Sequence, residues 1–325
     1  MRRVSTPTYN YTFNEKTGHF ARWGKTFKDD PQYSPIGLEI LDIEVSTICH
    51  HGCPFCYKSN LTKGRNMSID TFKGVINNLP TLTQIAFGIG DIDGNPDLFK
   101  MFEYSRRKGI VPNVTINGAR LTQEHADNLA KYCGAVAVSH YDDSECYNAV
   151  KTLTDEGMEQ VNIHQLLSEE SYQSALNVIK AYTEDTRLKK LNAIVFLSLK
   201  QRGRGENSTR ITDKHFIEII DLCFLNDVPF GFDSCTACKF LNVIKLHPNY
   251  EKIAMSVEPC ESGLFSGYVN VDGVFSPCSF SEGEVTGYDL AKPLDFLQEV
   301  WYNKDMKKWR KTLLDNNRNC PIYNI

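Results

Sequence analysis

The chain has 325 residues, enough for about two domains, and its 41% hydrophobic content can fill a packed core. A formal net charge of −4 excludes a global attraction to nucleic acid or anionic membrane, so neither is expected as a partner. Residues 1–30 hold no apolar signal segment and no stretch is apolar enough to span a bilayer, which points to a soluble, cytoplasmic protein.

Residues 1–38 are polar and aromatic. Tyr11-Thr-Phe13 and His19-Phe-Ala-Arg22 flank the turn Asn14-Glu-Lys-Thr-Gly18, which reads as a β-hairpin extension packed on the main body. Next comes an alternating apolar run, Leu41, Ile43 and Val45, which predicts a buried strand. It delivers Cys49, Cys53 and Cys56 into one short loop. Three thiolates spaced Cys-x3-Cys-x2-Cys suit one face of an iron–sulfur cube whose fourth iron stays free. The competing reading is a zinc knuckle completed by His50 or His51. Both histidines would crowd the loop, and no Cys or His follows soon after Cys56, so the cluster is preferred.

A strand–helix rhythm then takes over. Helices are predicted over 68–79, 96–108, 122–132, 140–156, 168–183 and 213–226, with Ser68 and Thr122 as caps. Strands fall between them at 84–87, 111–115, 135–139, 161–167, 193–199 and 229–232. Alternation of this kind implies parallel pairing with right-handed crossovers. Counting from Ile43 gives about seven strands, enough for an open, partial TIM-like barrel with its chemistry at the C-terminal strand ends. Beyond Phe240 the rhythm changes to a hairpin, 267–271 and 274–276, turned at Asp272-Gly273. A helix over about 293–314 follows.

Eleven cysteines in a long chain without an export signal read as ligands mixed with free thiols rather than as a disulfide framework. Cys133, Cys146 and Cys223 sit in or beside amphipathic helices and read as buried thiols. The basic runs Arg187-Leu-Lys-Lys190 and Lys307-Lys-Trp-Arg-Lys311 read as solvated helix faces.

Cys49-His-His-Gly-Cys53-Pro-Phe-Cys56 at the end of a first strand resembles the signature of the radical S-adenosylmethionine (AdoMet) superfamily. The resemblance implies a [4Fe-4S] cluster on Cys49, Cys53 and Cys56 that chelates AdoMet. Reductive cleavage would yield a 5′-deoxyadenosyl radical that abstracts hydrogen from a substrate. It also implies an electron donor such as flavodoxin or ferredoxin.

Gly88-Ile-Gly-Asp-Ile-Asp-Gly-Asn-Pro-Asp-Leu98 is similar to the family's Gly-Gly-Gly-Glu-Pro-x-x-Asn-Pro-Asp-Leu, which meets the methionine amino group. Ile89 replaces a glycine and Asp91 the glutamate, so Gly90 and Asp91 are the matching positions. By the same resemblance Asn117 (in Thr115-Ile-Asn-Gly118), Ser139 and Gln165 contact AdoMet, and Phe55 faces the adenine. Gln201-Arg-Gly-Arg-Gly205 reads either as a loop presenting Arg204 to a carboxylate or as a plain surface loop.

The pattern Cys260-x12-Gly273-x4-Cys278 resembles the opening of a SPASM or Twitch domain, which holds an auxiliary [4Fe-4S] cluster. Cys320-Pro-Ile-Tyr323 resembles its closing Cys-Pro-x-Cys, with Tyr323 in place of the final cysteine. The resemblance therefore implies one auxiliary cluster on Cys260, Cys278 and Cys320. The fourth ligand is Cys235, or Cys238, or an open site. Cys235 is preferred because it leaves a strand end directly, and Cys238 is then a candidate hydrogen donor.

The expected organisation is an extension over 1–38, a partial (β/α)6 barrel over 39–240 and a small α+β auxiliary-cluster unit over 241–325. The resemblance implies modification of a peptide or protein substrate, such as thioether or carbon–carbon crosslinking or epimerisation. The alternative is oxidation of a small-molecule alcohol.

Overall fold

The computed structural model describes residues 1–16 and 18–323; Thr17 of the predicted turn lies outside the described residues. The extension is a three-stranded antiparallel sheet rather than a two-stranded hairpin. The strand β1 (Arg2–Ser5) precedes the expected pair, β2 (Asn10–Phe13) and β3 (Phe20–Trp23).

The barrel wall runs β4 (Ile40–Glu44), α1 (Ile69–Asn77), β5 (Gln84–Gly88), α2 (Leu98–Arg107), β6 (Val111–Ile116) and α3 (Gln123–Tyr132). It continues β7 (Val136–Ser139), α4 (Asp143–Asp155), β8 (Val161–Leu167), α5 (Tyr172–Glu184), β9 (Ala193–Ser198), α6 (Asp213–Leu225) and β10 (Phe230–Phe232). Helix starts follow the capping logic of short oxygen side chains accepting orphan amides. Ser68 accepts from Thr71 N at 3.0 Å, and Thr122 accepts from His125 N at 3.2 Å. The seven strands β4 to β10 are parallel and adjacent in chain order.

The remainder is α7 (Ala237–Val243), α8 (Tyr250–Ala254), β11 (Ser266–Val269), β12 (Val274–Ser276), β13 (Tyr288–Asp289) and α9 (Lys304–Asp315). The helix expected over 293–314 is divided. A π-helical turn, Phe296–Trp301, ends at Tyr302, and Asn303 then caps α9 by accepting from Asp305 N and Met306 N at 2.9 Å. The hairpin β11–β12 is present, but β11 also pairs in parallel with β4, Ser266 opposite Ile40 through Val269 opposite Ile43. The C-terminal unit is therefore a continuation of the barrel sheet, in the order β10-β9-β8-β7-β6-β5-β4-β11-β12-β13.

Strand periodicity decides what faces where. On β8, Val161, Ile163, Gln165 and Leu167 are buried toward the helices, while Asn162, His164 and Leu166 stay partly open on the lumen side. Leu41 and Ile43 of β4 and Val45 just after it enter the main core, together with Phe72, Phe87 and Phe102. A second core joins Tyr9, Tyr11 and Phe13 of the extension to Leu264, Phe265 and Leu313 of the C-terminal unit. Arg22 of β3 stitches the same seam, with Nη1 2.6 Å from Glu39 and Nη2 3.0 Å from Glu261. Its guanidinium lies 3.3 Å from the Phe265 ring centroid, a stacking that suits its planar charge. Among the described residues no helix is long and apolar enough to cross a membrane.

Trp301 is fully buried and donates from Nε1 to the Ser34 carbonyl at 2.8 Å, tying the π-helical turn to the segment before β4. Trp301→Ala is expected to lower unfolding stability by about 3–5 kcal/mol, the range for a large aromatic removed from a packed site. A denaturant midpoint equal to that of the parent chain would show that this seam carries no such weight.

Candidate active site

The loop after β4 is fixed by its backbone before any ligand is considered. Cys49 N donates to Leu61 O at 2.9 Å, and Met67 N donates to Val45 O at 3.0 Å, so the loop leaves and returns along one line. Asn95 locks that return, donating from Nδ2 to Val45 O at 2.8 Å and to Met67 O at 3.0 Å. Cys49, Cys53 and Cys56 border a single cavity of about 390 Å³ at the C-terminal ends of the barrel strands. Burial and the neighbouring thiols of Cys56 and Cys49 push the Cys53 thiol up to about 11. Such a donor set resists accumulating negative charge until a cation compensates it.

Among the described residues no three metal-ligating side chains converge as they would around one ion. The three thiols border one cavity, where a cube whose corners take one sulfur each could sit. Neither neighbouring histidine turns inward as a fourth ligand. His50 is paired with Asp91, and the His51 ring packs 4.8 Å from that of Tyr141.

The loop over 201–205 supplies a clamp. Arg204 donates from Nε to Cys53 O at 2.8 Å and from Nη1 to Asn60 O at 2.9 Å, while its backbone N reaches Cys56 O at 3.1 Å. Of the two sequence readings, neither describes this: Arg204 grips backbone carbonyls of the cysteine loop. Gly203 has φ +59° and a side chain there would meet Tyr57 O at 2.5 Å, so only glycine lets the two loops touch. Arg202 reaches the other way, to Glu282 O at 2.7 Å beside the second cysteine set.

Of the residues expected to hold AdoMet, Phe55, Gly90, Asn117 and Ser139 border the cavity, and Asp91 and Gln165 do not. Asp91 is 2% exposed and its carboxylate is already satisfied, by His50 N at 2.9 Å, by the His50 ring and by Asn117 Nδ2 at 3.0 Å. Burial would raise its pKa, but these hydrogen bonds outweigh it and hold the carboxyl below its ordinary value. Asp91 thus positions the cysteine loop and Asn117. Gln165 lies on the helix-facing side of β8, where it meets the His140 ring at 2.7 Å; the adjacent His164 takes the lumen position.

The second cysteine set also gathers. The charges of Cys260 and Cys278 act on Cys235, and that of Cys320 acts on both Cys260 and Cys278. Burial pushes the thiols of Cys235, Cys260 and Cys278 up, that of Cys278 to about 12. Phe280 N and Tyr323 N point at the sulfurs of Cys278 and Cys320, at 3.4 and 3.3 Å. Such N–H···S bonds favour thiolates and tune cluster potentials. Cys238 stands apart: its thiol reaches Asn317 O at 3.8 Å, and it does not border the cavity. Cys133, Cys146 and Cys223 are buried, and all eleven cysteines are unpaired.

Residues 43–196 match the family model described as the radical SAM superfamily. Over those residues the barrel is a radical SAM domain. A search of the curated proteins returned no match. Among solved structures, Streptococcus suis SuiB bound to S-adenosylmethionine aligns with TM-score 0.64 and 15% identity, over 85% of this chain and 68% of that one. The structure of anSMEcpe with bound AdoMet aligns with TM-score 0.63 and 15% identity, over 85% of this chain and 80% of that one. At such identity these alignments speak to the fold.

A radical SAM domain implies a [4Fe-4S] cluster and AdoMet, and the residues present fit both. Three unpaired thiols would supply the cluster ligands, and the glycine-lined strand end of β5 leaves backbone open to AdoMet. Sequence reasoning missed Arg204 and Asn95 as supports and Tyr141 as a cavity wall, its ring 5.5 Å from Phe55. A methyl group on Gly90 would stand 2.4 Å from Ile48 O and 2.5 Å from Cys49 Cβ. Gly90→Ala is expected to weaken AdoMet binding about tenfold or more, about 1.4 kcal/mol. Equilibrium dialysis against labelled AdoMet measures this, and an unchanged Kd would mean the loop absorbs the methyl.

Proposed function

We propose that the enzyme cleaves AdoMet reductively and abstracts a hydrogen atom from a peptide or protein side chain or backbone, as a post-translational modification. The observation that carries the reading is a single cavity bordered by both cysteine-bearing units. Cys49, Cys53 and Cys56 line it from the barrel, and Tyr268 and Ser279, next to Cys278, line it from the C-terminal unit. Its strand walls hold Ala86, Thr115, Ser139 and His164, small or polar residues that leave the lumen hollow.

Cys49, Cys53 and Cys56 would hold the AdoMet cluster, with Gly90, Asn117 and Ser139 beside the ligand and Phe55 against its adenine. Cys235, Cys260, Cys278 and Cys320 would hold an auxiliary cluster. Held by Cys49, Cys53 and Cys56, the first cluster would pass on an electron from a donor of the flavodoxin or ferredoxin type, and AdoMet would supply the hydrogen-abstracting group. The chain's part is to hold the thiols on one face through Arg204 and Asp91 and to keep the lumen walled against bulk water.

The peptide reading is supported by two neighbours of similar fold, SuiB solved with its precursor peptide SuiA and anSMEcpe solved with peptide. One observation favours the alternative, oxidation of a small alcohol. A cavity of about 390 Å³ is in the range of small-molecule pockets.

After anaerobic reconstitution, about eight irons per chain are expected. Cys49→Ala, Cys53→Ala and Cys56→Ala should each abolish 5′-deoxyadenosine formation; substantial product from any of them would discard the AdoMet assignment. Cys260→Ala and Cys320→Ala should each lower the iron content toward about four while AdoMet cleavage persists, and unchanged iron would remove the auxiliary cluster. Mass spectrometry of peptides co-expressed from neighbouring reading frames should show a modified product. A product only from small alcohols would move the assignment to the second reading.

A further inference from the structure

Strand β4 turns two carboxylates, Asp42 and Glu44, toward the cavity, because residues two apart share a face of the strand. Glu44 is committed. It accepts from the Tyr268 hydroxyl at 3.2 Å and lies 3.4 Å from Lys58 Nζ. Lys58 in turn donates to Tyr268 Oη and to Glu282 at 2.6 Å each, and Glu282 accepts from Asn270 at 2.7 Å. Arg204, the other cation at the cavity, is spent on the carbonyls of Cys53 and Asn60. His164 is held neutral, since burial lowers its pKa to about 4.

Asp42 differs from all of these. It forms no hydrogen bond or ion pair through its side chain among the described residues, yet it keeps accessible surface and borders the cavity. Around it on the sheet stand Tyr268 and Ala86, its register partners on β11 and β5, neither of which offers a countercharge. Burial, and then the charge of Glu261, raise its pKa to about 6, so near neutral pH the carboxylate is largely ionised. It also sits one strand repeat below Glu44, about 6–7 Å further from the cysteine loop. Its side chain is exposed to the cavity and has no partner from the chain, so a ligand cation that displaced the cavity water would find an open anionic acceptor there.

We propose that Asp42 is a specificity residue that receives a cationic group of the substrate, an ammonium or guanidinium, beside the AdoMet site. The cation belongs to a Lys or Arg side chain of a peptide, or to a free amine if the substrate is small. This inference rests on the cavity being the substrate chamber of the radical SAM reaction.

The test uses the reconstituted, AdoMet-loaded enzyme and three uncharged-to-charged probes: N-acetyl-Ala-Lys-Ala amide, its norleucine counterpart and n-butylamine. Calorimetry should find the lysine peptide bound about tenfold tighter than the norleucine peptide. Asp42→Asn should erase that difference while iron content and AdoMet affinity stay unchanged. The same variant should unfold at about the temperature of the parent, because the Asp42 side chain is exposed and holds no partner in the chain. Comparable tight binding of n-butylamine would assign the cation to a small substrate, and preference for the peptide would assign it to a side chain; both uphold the role of Asp42. Equal affinity for the lysine and norleucine peptides overturns the proposal. So does lost AdoMet binding in Asp42→Asn, which would place the residue in the cofactor site. If Asp42→Asn misfolds, Asp42→Ser read by the same lysine-to-norleucine ratio decides. Failure of the parent enzyme to bind AdoMet would instead sink the underlying radical SAM reading.

Discussion

Pairing of β4 on both of its edges is the constraint from which the rest follows. One edge is hydrogen-bonded in parallel to β5 and the other to β11. A strand held on both sides cannot shift register without turning its core face outward. The Cys49 loop therefore starts from a fixed point, and the hairpin that carries Cys278 hangs from the same strand. The distance between the two cysteine sets is set by backbone pairing rather than by side chains. That is a stiffer connection than a linker between two domains would give.

The parallel barrel and most of its helices were legible because hydrophobic periodicity and capping residues act locally, as at Ser68 and Thr122. The cysteine spacing was legible for the same reason. The edge chosen by β11 was not, since a Gly273 turn specifies the hairpin but says nothing about which strand it adds to. At His164 and Gln165 the alternation of β8 already held the answer: with Ile163 and Leu167 in the core, Gln165 must share their face. Asp91 was read as a ligand group because its position resembles one. Its partners, His50 and Asn117, come from two other loops, and only the folded chain shows that they fill its capacity. Arg204 was beyond reach on the same grounds, being about 150 residues from the Cys53 carbonyl that it grips.

The supports of the cysteine loop share one character. Arg204 binds carbonyls, Asn95 binds carbonyls, and Asp91 binds the His50 amide as well as its ring. Groups that hold backbone leave the thiols free, whereas groups that held the sulfurs would compete with iron. Burial first, and then the neighbouring thiols of Cys56 and Cys49, raise the Cys53 pKa, and thiolates brought together repel. An unsupported loop would relieve that repulsion by splaying. The clamp keeps the sulfurs on one cavity wall at a cost the fold meets elsewhere, in the aromatic seam of Tyr9, Tyr11, Phe13 and Phe265.

The hollow lumen has a cost of the same kind. A barrel filled by branched side chains gains stability from its interior, but Ala86, Thr115 and His164 contribute little there. What replaces packing is a chain of paired charges along one wall, from Glu44 through Lys58 to Glu282, which joins the barrel to the C-terminal unit while staying polar. Pairing matters because a buried charge without a partner costs several kcal/mol. Lys200 and Asp233 repeat the arrangement beside Cys235. Against that background of matched pairs, Asp42 makes no side-chain hydrogen bond or ion pair among the described residues, and its exposure to the cavity leaves it open to what the cavity binds.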